Sequence, residues 1–382
     1  MSTAHPLKIL QLIYKSDHLL PLFNNYAKAL MNTGHEITTV FLTGSADNTI
    51  VKSTIANQTE FCGFTAKQLR KNKYTVSHKI RHIWQQGKFD LAICHRHKPS
   101  FVFSLARLGL KQAPMLSVVH ALGQYKRRSR RIHARMLYAS NQNKTCIIAI
   151  SEAVNNNINQ DFHNKPPCSV QTVANIIDID SVVNHQLSRI DARQQLGVGN
   201  DDFVIGNVAR LVADKAQQDL LTAFAEIIKS DFQFASKVKL VIIGSGKLET
   251  QLKQQAQSLV ISQSVIFAGN INHASSLMSA FDLFVLSSTV EPFGLVLLEA
   301  MAARLPIVAT NVGSISAIVN KQVQLVAPAN APELARAIDN IIQLDNNQRT
   351  QLGEASYQHL LSNFNGQQFQ QQLFTTISQI TG

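Results

Sequence analysis

The chain has 382 residues, 45% of them hydrophobic, and a formal net charge of +12; that length is too great for one ordinary core and fits two domains of roughly 150 to 200 residues. No apolar run reaches the roughly 18 residues of a membrane span, and four widely spaced cysteines without a CxxC pair exclude a disulfide framework and offer no zinc spacing. The positive charge is uneven: residues 1–178 hold 23 Lys and Arg against 8 Asp and Glu, whereas residues 179–382 hold 13 against 16, so an anionic partner should meet the first half.

The segment MSTAHPLKILQLIYKSD lacks the charged start and small-residue cleavage site of a signal peptide, and KILQLIY reads as a first buried strand. The expectation is a cytoplasmic protein whose Cys62, Cys94, Cys146 and Cys168 are reduced buried thiols. Further strand-like runs follow at EITTVFL, DLAIC, MLSVV and CIIAI, separated by longer mixed segments such as LFNNYAKALMNTG, a helix stopping at Gly34. The polar stretch NQDFHNKPPCSVQTVAN reads as a linker, and after about residue 180 the pattern restarts. Strands are expected at FVIGNVA, KLVIIG, VIFAG, LFVLSS and PIVAT, with helices at DLLTAFAEIIKS, GKLETQLKQQAQSL and ELARAIDNIIQL. Near-continuous Val/Ile/Leu strands alternating with helices indicate parallel sheets covered on both faces. The predicted architecture is α/β: two doubly wound Rossmann-like domains, 1–178 and 179–382, facing across a cleft, with ligands at the carboxyl ends of the strands. Phe369, Leu373, Ile377 and Ile380 follow helical spacing in the Gln-rich C-terminal stretch, which predicts a packed last helix free to lie back on the first domain.

Four segments carry chemistry. HALGQYKRRSRRIHARMLYAS places Lys126, Arg127, Arg128, Arg130, Arg131 and Arg135 within ten residues without an acid, and Ile132, Met136 and Ala139 share one helical face. It reads as a solvated basic helix or as a surface for an anionic membrane or a phosphorylated acceptor; nucleic acid is not favoured, because no RNA-binding motif or aromatic platform accompanies it. GNVARLVADKAQQDLLTAF places Arg210 and Lys215 between a strand end and a helix led by Asp214 or Gln217; the pair suits a diphosphate or is two solvated loop cations. KLVIIGSGKLETQL turns through Gly244 and Gly246, which permits close backbone approach to a phosphate or simply makes a tight strand–helix turn.

The fourth, FVLSSTVEPFGLVLLEAMAARLPIVAT, holds two carboxylates, Glu291 and Glu299, in the most apolar part of the chain. Pro292 suits a first helical position, so Glu291 is expected at the mouth of a buried helix and Glu299 two turns in, about 12 Å apart if the helix is continuous. The two could face the ends of one elongated polar ligand, with Gly294 and the N–H groups of residues 293–295 holding oxygens. Alternatively Glu291 caps the helix and Glu299 pairs with a cation elsewhere.

ARLVADK, IIGSGKL, VIFAGNI and FVLSSTVEPFGLVLLEAMAARLPIVATNVG, in this order and spacing, resemble glycosyltransferase family 4 over roughly residues 195–340. NTGHEITTV, VVHALG and IIAISEAV in the first half resemble it more loosely. The resemblance implies the GT-B fold and retaining transfer of a hexose from a nucleotide-diphosphate sugar, UDP favoured and GDP possible, to a glycan or glycolipid acceptor, with lipopolysaccharide core as the first expectation. It further implies that Glu291 meets the donor sugar near its reacting carbon, Glu299 the ribose hydroxyls, and Arg210 and Lys215 the departing diphosphate. Phe293, Gly294 and Leu295 would offer backbone N–H groups, Gly244, Gly246 and Ile271 would line the donor, and His120, otherwise readable as a structural loop histidine, would face the donor sugar. No cofactor is expected beyond the donor substrate and no metal: Asp178-Ile179-Asp180 is the kind of short D-x-D that chance supplies, and Arg210 with Lys215 would replace a cation's charge. Basic first domains accompany lipid acceptors in this family, which implies a peripheral position at the inner face of the cytoplasmic membrane.

The sequence also departs from the family. Lys15, Ser16 and Asp17 stand where many members have a Gly-Gly loop, and Gly313-Ser314-Ile315-Ser316-Ala317 lacks the usual acid. The altered first loop keeps a non-catalytic sugar-nucleotide or membrane-binding module in view, and the shared architecture keeps an epimerase in view.

Overall fold

Seven parallel strands make the first sheet: β1 (Lys8–Ile13), β2 (Glu36–Phe41), β3 (Gln58–Phe61), β4 (Leu91–His95), β5 (Met115–Val119), β6 (Thr145–Ala149) and β7 (Ser169–Thr172), in the order β3-β2-β1-β4-β5-β6-β7. Six parallel strands make the second: β8 (Phe203–Val208), β9 (Val238–Ile243), β10 (Val265–Gly269), β11 (Leu283–Leu286), β12 (Ile307–Thr310) and β13 (Gln324–Val326), in the order β10-β9-β8-β11-β12-β13. The computed structural model describes residues 5–15, 20–110, 112–139, 141–230 and 236–382. Ser16 and Asp17 of the altered first loop lie outside the described residues.

All ten expected strands form. The three not anticipated, β3, β7 and β13, are outer strands of their sheets. An outer strand has one neighbour and one buried face, so it needs no continuous apolar run: QTEF and SVQT are half-exposed, and QLV is three residues long. Strand β7 lies inside the stretch read as linker. The chain accordingly divides into Met1–Ile176 with Gly366–Gly382, and Ile177–Asn365. The last helix, Gly366–Thr381, belongs with the first unit: Phe369, Leu373, Ile377 and Ile380 are all buried, Phe369 meets Tyr26 edge-on at 5.0 Å, and the Gln370 amide donates to the Ala29 carbonyl at 2.7 Å.

In each unit the order reverses at one place. β1 is flanked by β2 and β4, and β8 by β9 and β11. Such switch points leave a crevice at the strands' carboxyl ends, where doubly wound folds bind ligands. In the second unit the β8–β11 edge is paired in register only at Leu283–Ile205 and Phe284–Gly206. Gly206 admits the Phe281 ring there, since a Cβ would stand 2.1 Å from it. Beyond the paired residues, the buried Asn207 side chain ties β8 to β11 by donating to the Val285 carbonyl at 2.9 Å. The four cysteines are buried and free.

Candidate active site

The second switch point gathers the residues on which the sequence reading turned. After β8 the chain passes Arg210, makes a 3₁₀ turn over Ala213–Lys215, goes left-handed at Ala216 (φ 47°) and enters the helix Gln217–Ser230. Asp214 is therefore in the turn, and the helix starts at Gln217. After β11, Thr289 N–H donates to the Asp214 carbonyl at 2.9 Å and Ser287 Oγ to the Lys215 carbonyl at 2.9 Å, clamping the two loops together. The clamp brings Lys215 Nζ to 2.5 Å from Glu291 Oε2, both side chains largely buried. Ser288 Oγ also donates to that carboxylate at 3.3 Å, while Thr310 Oγ1 holds the Ser288 carbonyl at 2.5 Å. Charges separated by 76 positions in sequence thus share one spot at the crevice. Burial makes each dependent on the other, because removing one leaves an uncompensated charge.

Glu291 is not on the helix. The helix runs Leu295–Ala302 with Gly294, at φ 92°, as its N-cap and no side-chain capping bond. A Cβ on Gly294 would lie 2.9 Å from Ile315 Cδ1. Pro292-Phe293-Gly294 is therefore a loop, which replaces the continuous helix expected from Pro292 and excludes Glu291 as its cap. The N–H groups that open the helix, with the positive end of its dipole, lie directly after the glutamate. Glu299 sits in the second turn, partly buried, and among the described residues it makes no ion pair and no side-chain hydrogen bond. Burial alone raises its pKa to about 7. A carboxyl poised there can exchange hydrogen bonds with ligand hydroxyls at little electrostatic cost.

Arg210 is exposed after β8, and its carbonyl accepts from Gln217 Nε2 at 3.1 Å. Gly244 and Gly246 have a structural reason of their own. A Cβ on Gly244 would meet the Ala209 carbonyl at 1.9 Å, and one on Gly246 the Leu211 carbonyl at 2.3 Å. The backbone that approaches these glycines is the loop following β8. Leu211 N–H donates to the Ser245 carbonyl and Leu248 N–H to the Leu211 carbonyl, at 3.0 and 3.1 Å. Their effect is to hold the Arg210 loop in place. Ile271 follows β10 and is half-buried. Asp178 of the D-x-D accepts from Ser181 N–H at 3.2 Å and caps the helix Ile179–Asn184.

The first switch point holds histidines. His120, just past β5, is 9% exposed and faces His95, the last residue of β4, with Nε2 and Nδ1 3.0 Å apart. Phe23 and Tyr26 of the helix Leu20–Met31 wall the pair, at 4.6 and 5.0 Å from the His95 ring. Burial pushes His120 down to about 3 and His95 well below its ordinary range, so both rings are neutral and one N–H is shared between them. His120 Nδ1 is left buried without a protein partner. Sequence reasoning passed over His95; the signal was a histidine closing the apolar run LAIC, where a parallel strand normally ends in the crevice.

Of the basic segment, the helix Arg128–Ala139 forms as expected, but its cations divide. Arg130 donates to the Gln124 carbonyl at 3.0 Å, Arg131 to the Tyr125 and Lys126 carbonyls at 3.2 and 2.6 Å, and Arg135 to the Phe162 carbonyl at 3.2 Å. Lys126, Arg127 and Arg128 are exposed, and beside them Ile132 and Met136 are 46% and 69% exposed.

Comparison with known proteins agrees with the geometry. The family model Glycosyltransferase Family 4 matches residues 23–181, and the model Glycosyl transferases group 1 matches residues 188–359. The chain belongs to glycosyltransferase family 4. An uncharacterized glycosyltransferase of Methanocaldococcus jannaschii is 29% identical over 67% of this chain and 66% of its own length. The lipopolysaccharide core biosynthesis glycosyltransferase LpsE of Rhizobium meliloti is 30% identical over 45% of this chain and 48% of its own. The matched segments thus span less than two thirds of either relative. Among solved structures, Anabaena HepE in complex with UDP and glucose superimposes with a TM-score of 0.78 at 23% identity, covering 97% of this chain and 99% of that one. The family 4 chain has the GT-B fold of two Rossmann-like domains.

Proposed function

We propose that the protein is a retaining, metal-independent hexosyltransferase that takes a nucleotide-diphosphate sugar, with UDP favoured, as donor. The observation that carries this is the Lys215–Glu291 pair held at the β8–β11 switch point, directly before the N-terminus of the helix Leu295–Ala302. The step with the largest electrostatic demand is departure of the nucleoside diphosphate. Lys215, Arg210 and first-turn N–H groups are suited to stabilise that charge as it develops. Diphosphate arriving at Lys215 would release Glu291 to hold hydroxyls of the sugar, while Glu299 takes the ribose. His120, through its unpaired Nδ1, meets the donor sugar, and the departing phosphate accepts the acceptor's proton.

The LpsE likeness supports an envelope glycan or glycolipid as acceptor, lipopolysaccharide core first. Ile132 and Met136, exposed between cations, favour a peripheral position at an anionic leaflet: apolar side chains enter the headgroup boundary while Lys and Arg meet lipid charge. The test is donor turnover. Lys215→Ala and Glu291→Ala should each lower sugar release or transfer from UDP-sugars by about 10²–10³-fold while the protein stays folded; near-normal turnover in both would falsify the assignment.

A further inference from the structure

We propose that the first domain carries a phosphate-binding site of its own at the β1–β4 switch point, built from Lys73, His97, Lys98, Arg130 and His133, and that its ligand is a phosphate monoester or diphosphate borne by the acceptor.

Three elements converge there. β4 runs into Arg96-His97-Lys98, which open the helix His97–Ala106. Lys98 Nζ lies 3.8 Å from the centroid of the Tyr14 ring, just past β1, so this side chain spans the two strands whose divergence forms the crevice. One turn on, the Phe101 ring is a common platform. His133 lies 5.1 Å from it, His97 6.0 Å, and Lys73 Nζ 5.1 Å, the last from the start of the helix Lys73–Gly87. Arg130, one turn before His133 on the helix Arg128–Ala139, is fixed by its bond to the Gln124 carbonyl. His97 registers the surrounding charge: burial first, then Arg130, His133, Lys73 and Lys98, lower it to about 4.

Among the described residues these cations have no acidic partner. No Asp or Glu occurs between Asp90 and Glu152, and among the described residues Lys73, Lys98 and Arg130 form no ion pair. His97 Nδ1 is buried without a hydrogen-bond partner. Like charges drawn around one histidine repel, and an unpaired buried ring nitrogen costs free energy. A doubly charged phosphoryl group answers both, taking several charge-assisted hydrogen bonds at once. The cations lie at the ligand-binding edge of the sheet and are drawn from separate elements, which a merely solvated basic helix does not require.

That the phosphate belongs to the acceptor rests on the transferase reading above; the anion site does not. The experiment uses the full chain, with imidazole NMR signals of His97 and His133 followed as inorganic phosphate, then glucose 1-phosphate, is added at constant ionic strength. Both rings should shift and saturate, and Lys73→Gln and Arg130→Gln should each weaken binding about tenfold, a loss of one charged contact. Lys73→Gln, which breaks no described hydrogen bond, should leave UDP affinity unchanged. Vesicles containing phosphatidic acid, compared with phosphatidylglycerol, separate the sources: Lys73-dependent preference for the monoester identifies a lipid phosphate, and saturation by glucose 1-phosphate alone a soluble one. An unsaturable response, or one equal in wild type and Lys73→Gln, overturns the site. Saturable phosphate binding without transfer from any donor keeps the site and removes the acceptor assignment, whereas transfer without phosphate binding overturns the site and leaves the transferase reading standing.

Discussion

The two domains solve one geometric problem with opposite chemistry. Each opens a crevice where its sheet order reverses, at β1–β4 and at β8–β11. The first fills that edge with neutral histidines beside cations that form no ion pair among the described residues, and the second with an ion pair and a carboxyl raised to about 7. Topology therefore decides where a ligand goes, and the side chains placed there decide what it is. Their turns differ as well. At Gly244 the second domain presses its own backbone into the turn, whereas around Gly34 of the first nothing lies within 4 Å.

The largest expected difference is at these two glycines. Both have positive φ, 144° and 86°. Gly34→Ala should cost about 1 kcal/mol, the price of the left-handed backbone alone. Gly244→Ala adds a clash with the Ala209 carbonyl and should cost about 4 kcal/mol or more. Trp84, the only tryptophan, is buried in the first domain. Urea unfolding read by its fluorescence and by far-UV circular dichroism separates the domains: Gly244→Ala should shift the dichroism and spare the fluorescence midpoint. Equal losses at both glycines would break the comparison.

Next in size are opposite pH responses. The folded pKa of His120 is depressed, as is that of His95, so the unfolded chain binds more protons between the folded value and about 6.5. Stability of the first domain is thus lost as pH falls below about 6.5, by about 2 kcal/mol for His120 at pH 5, with His95 acting in the same direction. Glu299 is raised, so the folded state binds the extra proton; its penalty is absent below about 4.5, grows as pH rises and is complete above about 7, at roughly 3 kcal/mol. Replacing the acid by Glu299→Gln should stabilise the second domain at pH 8 and do little at pH 4.5, while weakening UDP binding. His95→Gln should flatten the acid loss read by Trp84 and lower donor turnover at saturating donor. A Glu299→Gln effect of the same size at both pH values would show that burial does not govern that carboxyl.

The sequence made the alternation legible because interior parallel strands, buried on both faces, read as apolar runs; all nine of them did, as did one outer strand, β10. The other three outer strands lack that signature, and QTEF and SVQT look like loop. At the site, Lys215 and Glu291 were recognisable from family spacing, but their contact was not, because it depends on the Asp214 carbonyl clamping Thr289. Glu291 was expected at a helix start because Pro292 favours one; the left-handed Gly294 moves the helix three residues on. His95 stayed invisible for a different reason. A single histidine closing a strand is a faint signal, and only the adjacent strand end reveals its partner.

The smallest expected effects test the basic helix, where the first domain's charge itself divides. Arg131 holds two backbone carbonyls, so Arg131→Gln should cost about 1–2 kcal/mol of stability. Lys126, exposed and reaching no described acceptor, should give Lys126→Gln a stability change within about 0.5 kcal/mol. On vesicles of anionic lipid at low salt the order should reverse with function. Lys126→Gln should lose about 1 kcal/mol of binding, and Met136→Asp should lose more, because it replaces an apolar contact with a repelled charge. If Met136→Asp floats with vesicles as well as wild type does, the exposed methionine is no membrane contact, and the helix is a solvated face held by its inward-turned arginines.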